Sequence, residues 1–214
     1  MVEPLTLARS ELILGGQRSG KSRRAEALAS AWLAQSPGHR AVFIATARAG
    51  DAEMAERIAR HRQDRAARVP GMATVEEPLL LAQALQRHGR PDTLLVVDCL
   101  TLWLTNGLMP GGGPAAPRSR TVGNNPEFKE IVPQAFDATV KIAPVLEAVR
   151  GMPGPVVLVS NEIGLGVIPL GHEVRAFVDV LGRLNQGAAQ VCQRVTLMVA
   201  GLPVPIKDVA GDGA

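Results

Sequence analysis

The feature that constrains this chain most is a glycine-rich segment between an apolar run and a helical pattern. An apolar run at residues 11–14 predicts a strand, and the spacing of Ala and Leu at 22–34 predicts a helix. The segment that joins the predicted strand to the start of the predicted helix has the spacing of a phosphate-binding loop: Gly15-Gly16-Gln17-Arg18-Ser19-Gly20-Lys21-Ser22. Loop amides would face phosphate oxygens, Lys21 would neutralise their charge, and Ser22 would ligate magnesium. The sequence therefore predicts a nucleoside triphosphate site.

Short apolar runs alternate with longer helical patterns along the rest of the chain. The runs predict strands at 11–14, 42–46, 93–98, 155–160 and 195–200. The longer patterns predict helices at 22–34, 51–65, 78–88, 133–150 and 173–193. Strands with few polar positions are typical of a mainly parallel sheet that is covered on both faces. We predict an α/β fold, a P-loop NTPase-like doubly wound sheet with helices on both faces.

The alternation is interrupted once. Residues 107–132 contain clustered glycines and prolines followed by a polar stretch, which predicts a surface excursion, with disorder as one interpretation. We predict one catalytic domain at 11–207, an N-terminal extension at 1–10 and a C-terminal tail at 208–214.

Composition restricts the partners and the compartment. The net charge of +3 contains no long run of like charge, which suits anionic small molecules such as nucleotides. Aromatic residues make up 3% of the chain and Tyr is absent, so the stacking platforms of nucleic-acid binders are scarce. Cys99 and Cys192 lie in apolar segments, which favours buried free thiols. The sequence shows neither a secretory leader nor a membrane-spanning stretch, so we expect a cytoplasmic enzyme.

A second nucleotide-binding element is predicted at the end of an apolar strand, where the run 94–97 is followed by Asp98. An aspartate in this position is often only a helix cap. Together with the phosphate loop, the pattern favours a carboxylate that binds magnesium. Ser22 and Asp98 are therefore the predicted metal ligands.

The charged helical pattern at 51–65 has two interpretations. It can be a solvated helix face with ion pairs one turn apart. Alternatively, Arg57, His61 and Asp64 share a face and Arg65 lies one turn from His61. An imidazole among guanidinium groups suits a nucleophile that attacks phosphorus. The spacing alone leaves both interpretations open.

Several separated segments resemble one family when they are taken in order. They lie at 15–22, 44–47, 51–65, 74–78, 97–106, 160–166, 182–186 and 200–203. The most specific are Asn-Glu-x-Gly-x-Gly at 161–166 and Gly-Arg-Leu-Asn-Gln at 182–186. These segments resemble the bifunctional adenosylcobinamide kinase / adenosylcobinamide-phosphate guanylyltransferases of cobalamin biosynthesis. The chain departs from that family in extra residues around 66–70, in Met72 where members often have Trp, and in the segment 111–130.

The resemblance implies two reactions. Adenosylcobinamide is phosphorylated by ATP or GTP on the terminal hydroxyl of its aminopropanol arm, and adenosylcobinamide phosphate then accepts GMP from GTP. By position, the guanylylated histidine is His61, and Lys21 with Mg²⁺ offsets the charge of the leaving group. Further implied nucleotide contacts are Ala45, Thr46, Ala47, Arg62, Gln63, Asp64, Arg65, Glu76 and Asp98. The resemblance also implies a homo-oligomer, with a trimer as the expected size.

Two other functions stay open at this point. A P-loop small-molecule kinase without nucleotidyl transfer would share the phosphate loop and would not need His61. A GTP-binding regulatory module would use the loop to change conformation. Switch GTPases commonly identify guanine with an Asn-Lys-x-Asp segment, and this sequence has none, so the regulatory module is the least favoured of the three.

Overall fold

The computed structural model describes residues 5–49, 52–108 and 138–209. Over these ranges the strands are β1 (Ser10–Gly15), β2 (Arg40–Ala45), β3 (Ala73–Glu76), β4 (Thr93–Asp98), β5 (Val156–Val159), β6 (Arg194–Val199) and β7 (Leu202–Asp208). The helices are α1 (Lys21–Gln35), α2 (Ala52–Arg68), α3 (Leu81–His88), α4 (Leu100–Leu108), α5 (Ala138–Arg150) and α6 (His172–Val191). Most of the predicted excursion at 107–132 lies outside the described residues.

The strands form one sheet in the order β3-β2-β4-β5-β1-β6-β7. Every pairing is parallel except that of β6 with β7, which is antiparallel. The chain leaves β1 toward β2 on one side, whereas it leaves the neighbouring β5 toward β6 on the other side. In open α/β sheets, ligands bind at the carboxyl ends of strands where connections diverge in this way. The fold therefore places a ligand crevice between β1 and β5.

Helices cover both faces of the sheet, as β4 shows by its alternating side chains. Leu94 and Val96 pack with Leu28 of α1 in one buried cluster. Leu95 and Val97 belong to the opposite cluster, which holds the buried side chains of α3, α4, α5 and α6. Because both faces are buried, the strand has the continuous apolar sequence that predicted a parallel sheet. The predicted α/β doubly wound class is confirmed.

Two edge strands and one helix escaped prediction. β3 has four residues and no fully buried position, so it carries little apolar signal. β7 contains Pro203 and Pro205, which lack an amide hydrogen and are tolerated mainly in edge strands. Ala200 and Gly201 join β6 to β7 with φ angles of 51° and 83°, the left-handed pair that two-residue hairpins require. The third missed element, α4, follows β4 almost without a connection.

The ends of several elements differ by a few residues from prediction. α3 begins at Leu81, not at 78, and the Glu77 carboxylate accepts hydrogen bonds from the amides of Leu79 and Leu80 just before it. β1 begins at Ser10 and β7 ends at Asp208, each one residue outside the predicted domain limits. α2 continues through part of the extra segment around 66–70 and ends at Arg68.

Candidate active site

The phosphate loop follows β1 at the carboxyl edge of the sheet and depends on glycine at two positions. Gly15 has φ 150° and Gly20 has φ 101°. Residues other than glycine rarely adopt these backbone conformations. A Cβ on Gly15 would lie 2.5 Å from Ser19 Oγ and 2.6 Å from the Met198 carbonyl oxygen. Arg18 also has a positive φ, of 57°. Such strained residues concentrate at functional sites.

Lys21 occupies the position expected of a phosphate-neutralising lysine. Its side chain is buried, and its Nζ donates a 2.6 Å hydrogen bond to the Gly16 carbonyl of the same loop. Burial lowers the pKa of Lys21, and the nearby Asp98 carboxylate opposes this shift. The ammonium is thus held in a partly desolvated place, where a charge interacts more strongly with phosphate than it would in bulk water.

Ser22 and Asp98 meet although β5 separates their strands. The Ser22 hydroxyl donates a 2.7 Å hydrogen bond to Asp98 Oδ2. Burial raises the pKa of Asp98, while the Ser22 hydrogen bond and the positive charges of Lys21, Arg65 and His61 act in the opposite direction. The pairing brings together the two residues that the sequence predicted as metal ligands.

The donor set at this position fits magnesium. Mg²⁺ beside a nucleotide takes one or two protein oxygens and completes its shell with phosphate oxygens and water, and Ser22 and Asp98 offer two such oxygens. The buried Ser19 hydroxyl has no hydrogen-bond partner within the described residues, so it is free to donate to a phosphate. The described ranges hold no cluster of three or more His, Cys, Asp or Glu side chains suited to a metal, which a nucleotide-bound Mg²⁺ does not require.

α2 presents the predicted guanylylation residues at the same edge. His61 is exposed, and its charge bears on the pKa of Asp98. Arg62 is exposed and its Nη1 lies 4.0 Å from Oε1 of Glu76, at the end of β3. Gln63 and Asp64 are also exposed. The structure therefore brings Arg62 near Glu76 at the carboxyl end of β3, and His61 is the residue before Arg62 on α2.

Arg65 differs from its neighbours on α2 because it is buried, at 7% exposure. Its guanidinium lies 3.7 Å from the centre of the Phe43 ring, and its Nη2 donates to Thr74 Oγ1 at 3.2 Å. Three residues later, Arg68 Nε lies 2.9 Å from Oε2 of the buried Glu26 in α1. These contacts anchor the end of α2 to β2, β3 and α1. Arg65 thus has a structural role that its sequence position did not reveal.

The predicted contacts at 45–47 lie at the carboxyl end of β2. Thr46 is fully buried, and its hydroxyl both donates to the Cys99 carbonyl and accepts from the Cys99 amide, each at 2.8 Å. This hydroxyl ties β2 to β4 at the point where Asp98 ends its strand. Ala45 and Ala47 are partly exposed, so a nucleotide contact here would fall on these residues.

A buried polar network that sequence reasoning left without a role lies beside the phosphate loop. The Ser160 hydroxyl donates to Asn185 Oδ1 at 2.7 Å and lies 3.4 Å from Thr101 Oγ1. Asn185 Nδ2 lies within hydrogen-bond distance of Glu162 Oε2, at 3.3 Å, and the Glu162 amide donates to the Gly15 carbonyl at 3.2 Å. The available signal was the family resemblance of segments 97–106, 160–166 and 182–186, which the fold brings to one place.

The β6–β7 turn supports the phosphate loop from its other side. The Gly201 amide donates to the Ser19 carbonyl at 3.1 Å. A Cβ on Gly20 would lie 3.3 Å from Gly201 Cα. The resemblance at 200–203 therefore corresponds to a turn that packs against the loop.

Two further observations concern the predicted chemistry and compartment. Cys99 and Cys192 are free and buried, and burial raises the thiol pKa to about 11 and about 12, respectively. Among the helices of the described residues, none combines the length and the apolar character that a bilayer crossing requires.

Comparison with known proteins identifies the family of this chain. The family model described as cobinamide kinase / cobinamide phosphate guanyltransferase matches residues 11–206. The chain is 45% identical over 197 residues to the bifunctional adenosylcobalamin biosynthesis protein CobP of Pseudomonas aeruginosa, covering 92% of this chain and 96% of that protein. It is 35% identical over 196 residues to the bifunctional adenosylcobalamin biosynthesis protein CobU of Escherichia coli, covering 92% and 98%.

A solved structure, the KaiC-like protein PH0186 of Pyrococcus horikoshii, is a more distant likeness. It has a TM-score of 0.43 and 12% identity over 88% of this chain and 69% of that one, which is too remote to carry an argument. The sequence matches are long: the family model spans residues 11–206, and the two relatives are matched over 92% of this chain. The chain belongs to the cobinamide kinase / cobinamide phosphate guanyltransferase family of enzymes.

Proposed function

We propose that this enzyme phosphorylates adenosylcobinamide with a nucleoside triphosphate and then transfers GMP from GTP, through a guanylylated His61, to give adenosylcobinamide-GDP. The observation that carries the proposal is the meeting of two different phosphorus-handling groups at one sheet edge. One is the phosphate loop with Lys21, Ser22 and Asp98; the other is the part of α2 that carries His61, where the next residue, Arg62, lies 4.0 Å from Glu76 at the end of β3. The family match over residues 11–206 supports the same assignment.

In the kinase reaction, the terminal hydroxyl oxygen of the aminopropanol arm attacks the γ-phosphorus of the triphosphate. The bond from that phosphorus to its bridging oxygen breaks, the nucleoside diphosphate leaves, and the hydroxyl proton passes to solvent. Lys21 and the loop amides stabilise the charge that develops on the phosphate oxygens. When bound, magnesium would supply further positive charge there, with Ser22 and Asp98 as its protein ligands.

In the guanylyl transfer, an unprotonated ring nitrogen of His61 attacks the α-phosphorus of GTP. A phosphorus–nitrogen bond forms and pyrophosphate leaves. An oxygen of adenosylcobinamide phosphate then attacks the same phosphorus, the phosphorus–nitrogen bond breaks, and the imidazole is released. His61 is exposed, so both partners can reach it. In this proposal Arg62, exposed on the same helix, binds phosphate oxygens through its guanidinium group.

The alternative is a kinase that lacks nucleotidyl transfer. The observation in its favour is the exposure of His61 on a helix that carries other solvated charges, such as the Glu56–Arg60 ion pair. A solvated helix face would look the same without any catalytic role. The two functions therefore differ in what happens at His61.

Labelling with GTP that carries a radioactive α-phosphate separates them. We expect the wild type to take up label that is lost in acid and kept in base, as a phosphoramidate is. His61→Ala should lose the label and the GDP-linked product, while phosphorylation of adenosylcobinamide persists, reduced by no more than about tenfold through lost positioning. His88→Ala, at the far end of α3, is the matched control. Label retained by folded His61→Ala, or guanylyl transfer reduced no more than phosphorylation, would remove His61 from its assigned role. A wild type that phosphorylates adenosylcobinamide but takes up no label would favour the kinase.

A homo-oligomer, with a trimer as the expected size, remains our proposal for the assembly. Leu202 and Val204 occupy alternate positions of the edge strand β7 and are 68% and 41% exposed; Ile206, at the register shift of this strand, is 60% exposed. Alternate residues of a strand share one face, and a contiguous apolar face suits contact with another protein surface. Sedimentation velocity measures the size. The cytoplasm remains the predicted compartment, since both reactions consume nucleoside triphosphates.

A further inference from the structure

The segment from 163 to 170, between β5 and α6, exposes an unusual number of large apolar side chains. We call it the apolar arch. Its exposed members are Ile163 at 39%, Leu165 at 77%, Val167 at 95%, Ile168 at 77% and Leu170 at 98%. Single exposed apolar residues are ordinary, whereas a contiguous group indicates a binding surface.

Both ends of the apolar arch are fixed. Before it, the Glu162 amide donates to the Gly15 carbonyl, and Asn185 Nδ2 donates to the Asn161 carbonyl at 3.1 Å. After it, Arg175 Nη1 donates to the carbonyls of Pro169, at 2.9 Å, and of Leu170. The exposed side chains are therefore held beside the phosphate loop by specific contacts.

A cavity of about 390 Å³ lies between the apolar arch and the first turns of α6. Its apolar lining includes Val167, Ile168 and Val178, and His172, Arg175 and Asp179 add polar groups. Small-molecule sites have this character, an apolar lining with a few polar groups that fix orientation. A corrin is larger than this volume, so the cavity would hold one edge of the ring and leave the rest exposed.

The position of the cavity next to the phosphate loop indicates which ligand it binds. β1 and β5 are neighbours whose connections diverge, with the phosphate loop following one and the apolar arch following the other. The substrate of the function proposed above carries its reactive hydroxyl on a flexible arm. Its ring must therefore lie outside the phosphate site but next to it. A corrin has apolar faces and a rim of amides, which match an apolar lining with hydrogen-bonding groups.

We propose that the cavity between the apolar arch and the first turns of α6 binds one edge of the corrin ring of adenosylcobinamide and directs its arm toward the phosphate loop. This inference rests on the proposed function. A nucleotide is a poorer match, because its phosphates gain nothing from apolar side chains. A second copy of the chain is the competing occupant, and the experiment below detects it.

Ile168 and Leu165 form a matched pair for the test. Both are 77% exposed in the apolar arch, but Leu165 is not among the described residues that line the cavity. We expect Ile168→Asp to raise the KM for adenosylcobinamide, and its Kd in equilibrium dialysis without nucleotide, by roughly tenfold or more. Leu165→Asp should change both by less than about threefold. Labelling by GTP, which needs no corrinoid, should stay at the wild-type level in both variants.

Val167→Asp is a second cavity variant. The Val167 side chain is 95% exposed, so we expect this variant to fold. Equal effects at Ile168 and Leu165, or wild-type KM values in folded Ile168→Asp and Val167→Asp, would overturn the corrin site. A change of sedimentation coefficient in the cavity variants would also overturn it and assign the surface to a second copy. Failure of the proposed function looks different, because the wild type itself would then take no label from GTP.

Discussion

The phosphate loop and α2 both carry residues proposed for chemistry, yet they are built in opposite ways. In the loop, Lys21 is buried and hydrogen-bonded, and Ser22 is joined to Asp98. On α2, His61 and Arg62 are exposed. Arg65 and Arg68, at the end of α2, anchor the helix to Phe43, Thr74 and the buried Glu26.

This difference explains how one edge of the sheet can support two reactions, the transfer of a phosphoryl group and the transfer of GMP. A group that stabilises charge acts best when it is fixed before the reaction, because no reorganisation is then needed. A covalent nucleophile must be reached first by GTP and then by the phosphate acceptor, which requires exposure. Buried Lys21 suits the first role and exposed His61 the second. Substitutions in the two regions should therefore impair the two reactions in different ways.

Replacing Lys21 tests the fixed region and should have the largest effect. Lys21→Ala removes the buried charge and leaves the loop glycines in place. Loss of such a group costs about 3–4 kcal/mol of barrier, so kcat should fall by about 10²–10³ in both reactions. Rates of phosphorylation and of GTP labelling measure this. Arg23→Ala, at an exposed residue two positions farther along α1, is the control. Near-normal turnover of Lys21→Ala would mean that the loop does not hold the reacting phosphates.

Asp98→Asn should have a somewhat smaller effect on rate, because the amide keeps one oxygen for Ser22 and magnesium. We expect activity to fall by about 100-fold and to recover partly as the magnesium concentration rises. Activity measured across a magnesium titration decides this. Full loss without recovery in a folded variant would indicate that the carboxylate contacts the nucleotide directly.

The same substitution should change stability in the opposite direction. Burial raises the pKa of Asp98, so between the unfolded and folded values the native state binds the proton more tightly. Stability then falls as pH rises through that window. Asn does not ionise, so Asp98→Asn should unfold at higher urea than the wild type at pH 7, and this gain should vanish below the ordinary pKa of aspartate. A variant that is less stable at pH 7 contradicts the argument.

Arg65 and Arg62 sharpen the contrast within α2, with the smallest expected effects. Arg65→Ala removes a guanidinium packed on Phe43 and bonded to Thr74, so unfolding free energy should fall by about 1–3 kcal/mol and GTP labelling by about tenfold. Arg62→Ala should leave stability within about 0.5 kcal/mol and raise the KM for GTP. Urea denaturation and labelling kinetics measure both. Equal stability losses would mean that Arg65 is no more an anchor than Arg62.

Much of the site was predictable because its signals are local. The strand, glycine loop and helix at 11–34 follow one another in the chain. The spacing of Gly15, Gly20, Lys21 and Ser22 is the sequence pattern of a phosphate-binding loop. The buried strands were predicted from their continuous apolar runs. Edge strands β3 and β7 did not, because an edge is half solvated and tolerates proline.

The sequence by itself thus determined the α/β class, the phosphate loop, the Ser22 and Asp98 candidates and the family. Tertiary structure alone decided that β5 lies between β1 and β4, that the Thr46 hydroxyl is engaged by Cys99, and that Arg65 is buried while Arg62 is exposed. It also decided that Thr101, Ser160, Glu162 and Asn185 meet beside Gly15. The reason is that each of these contacts joins residues far apart in the chain, and periodicity along one segment carries no information about which other segment will pack against it.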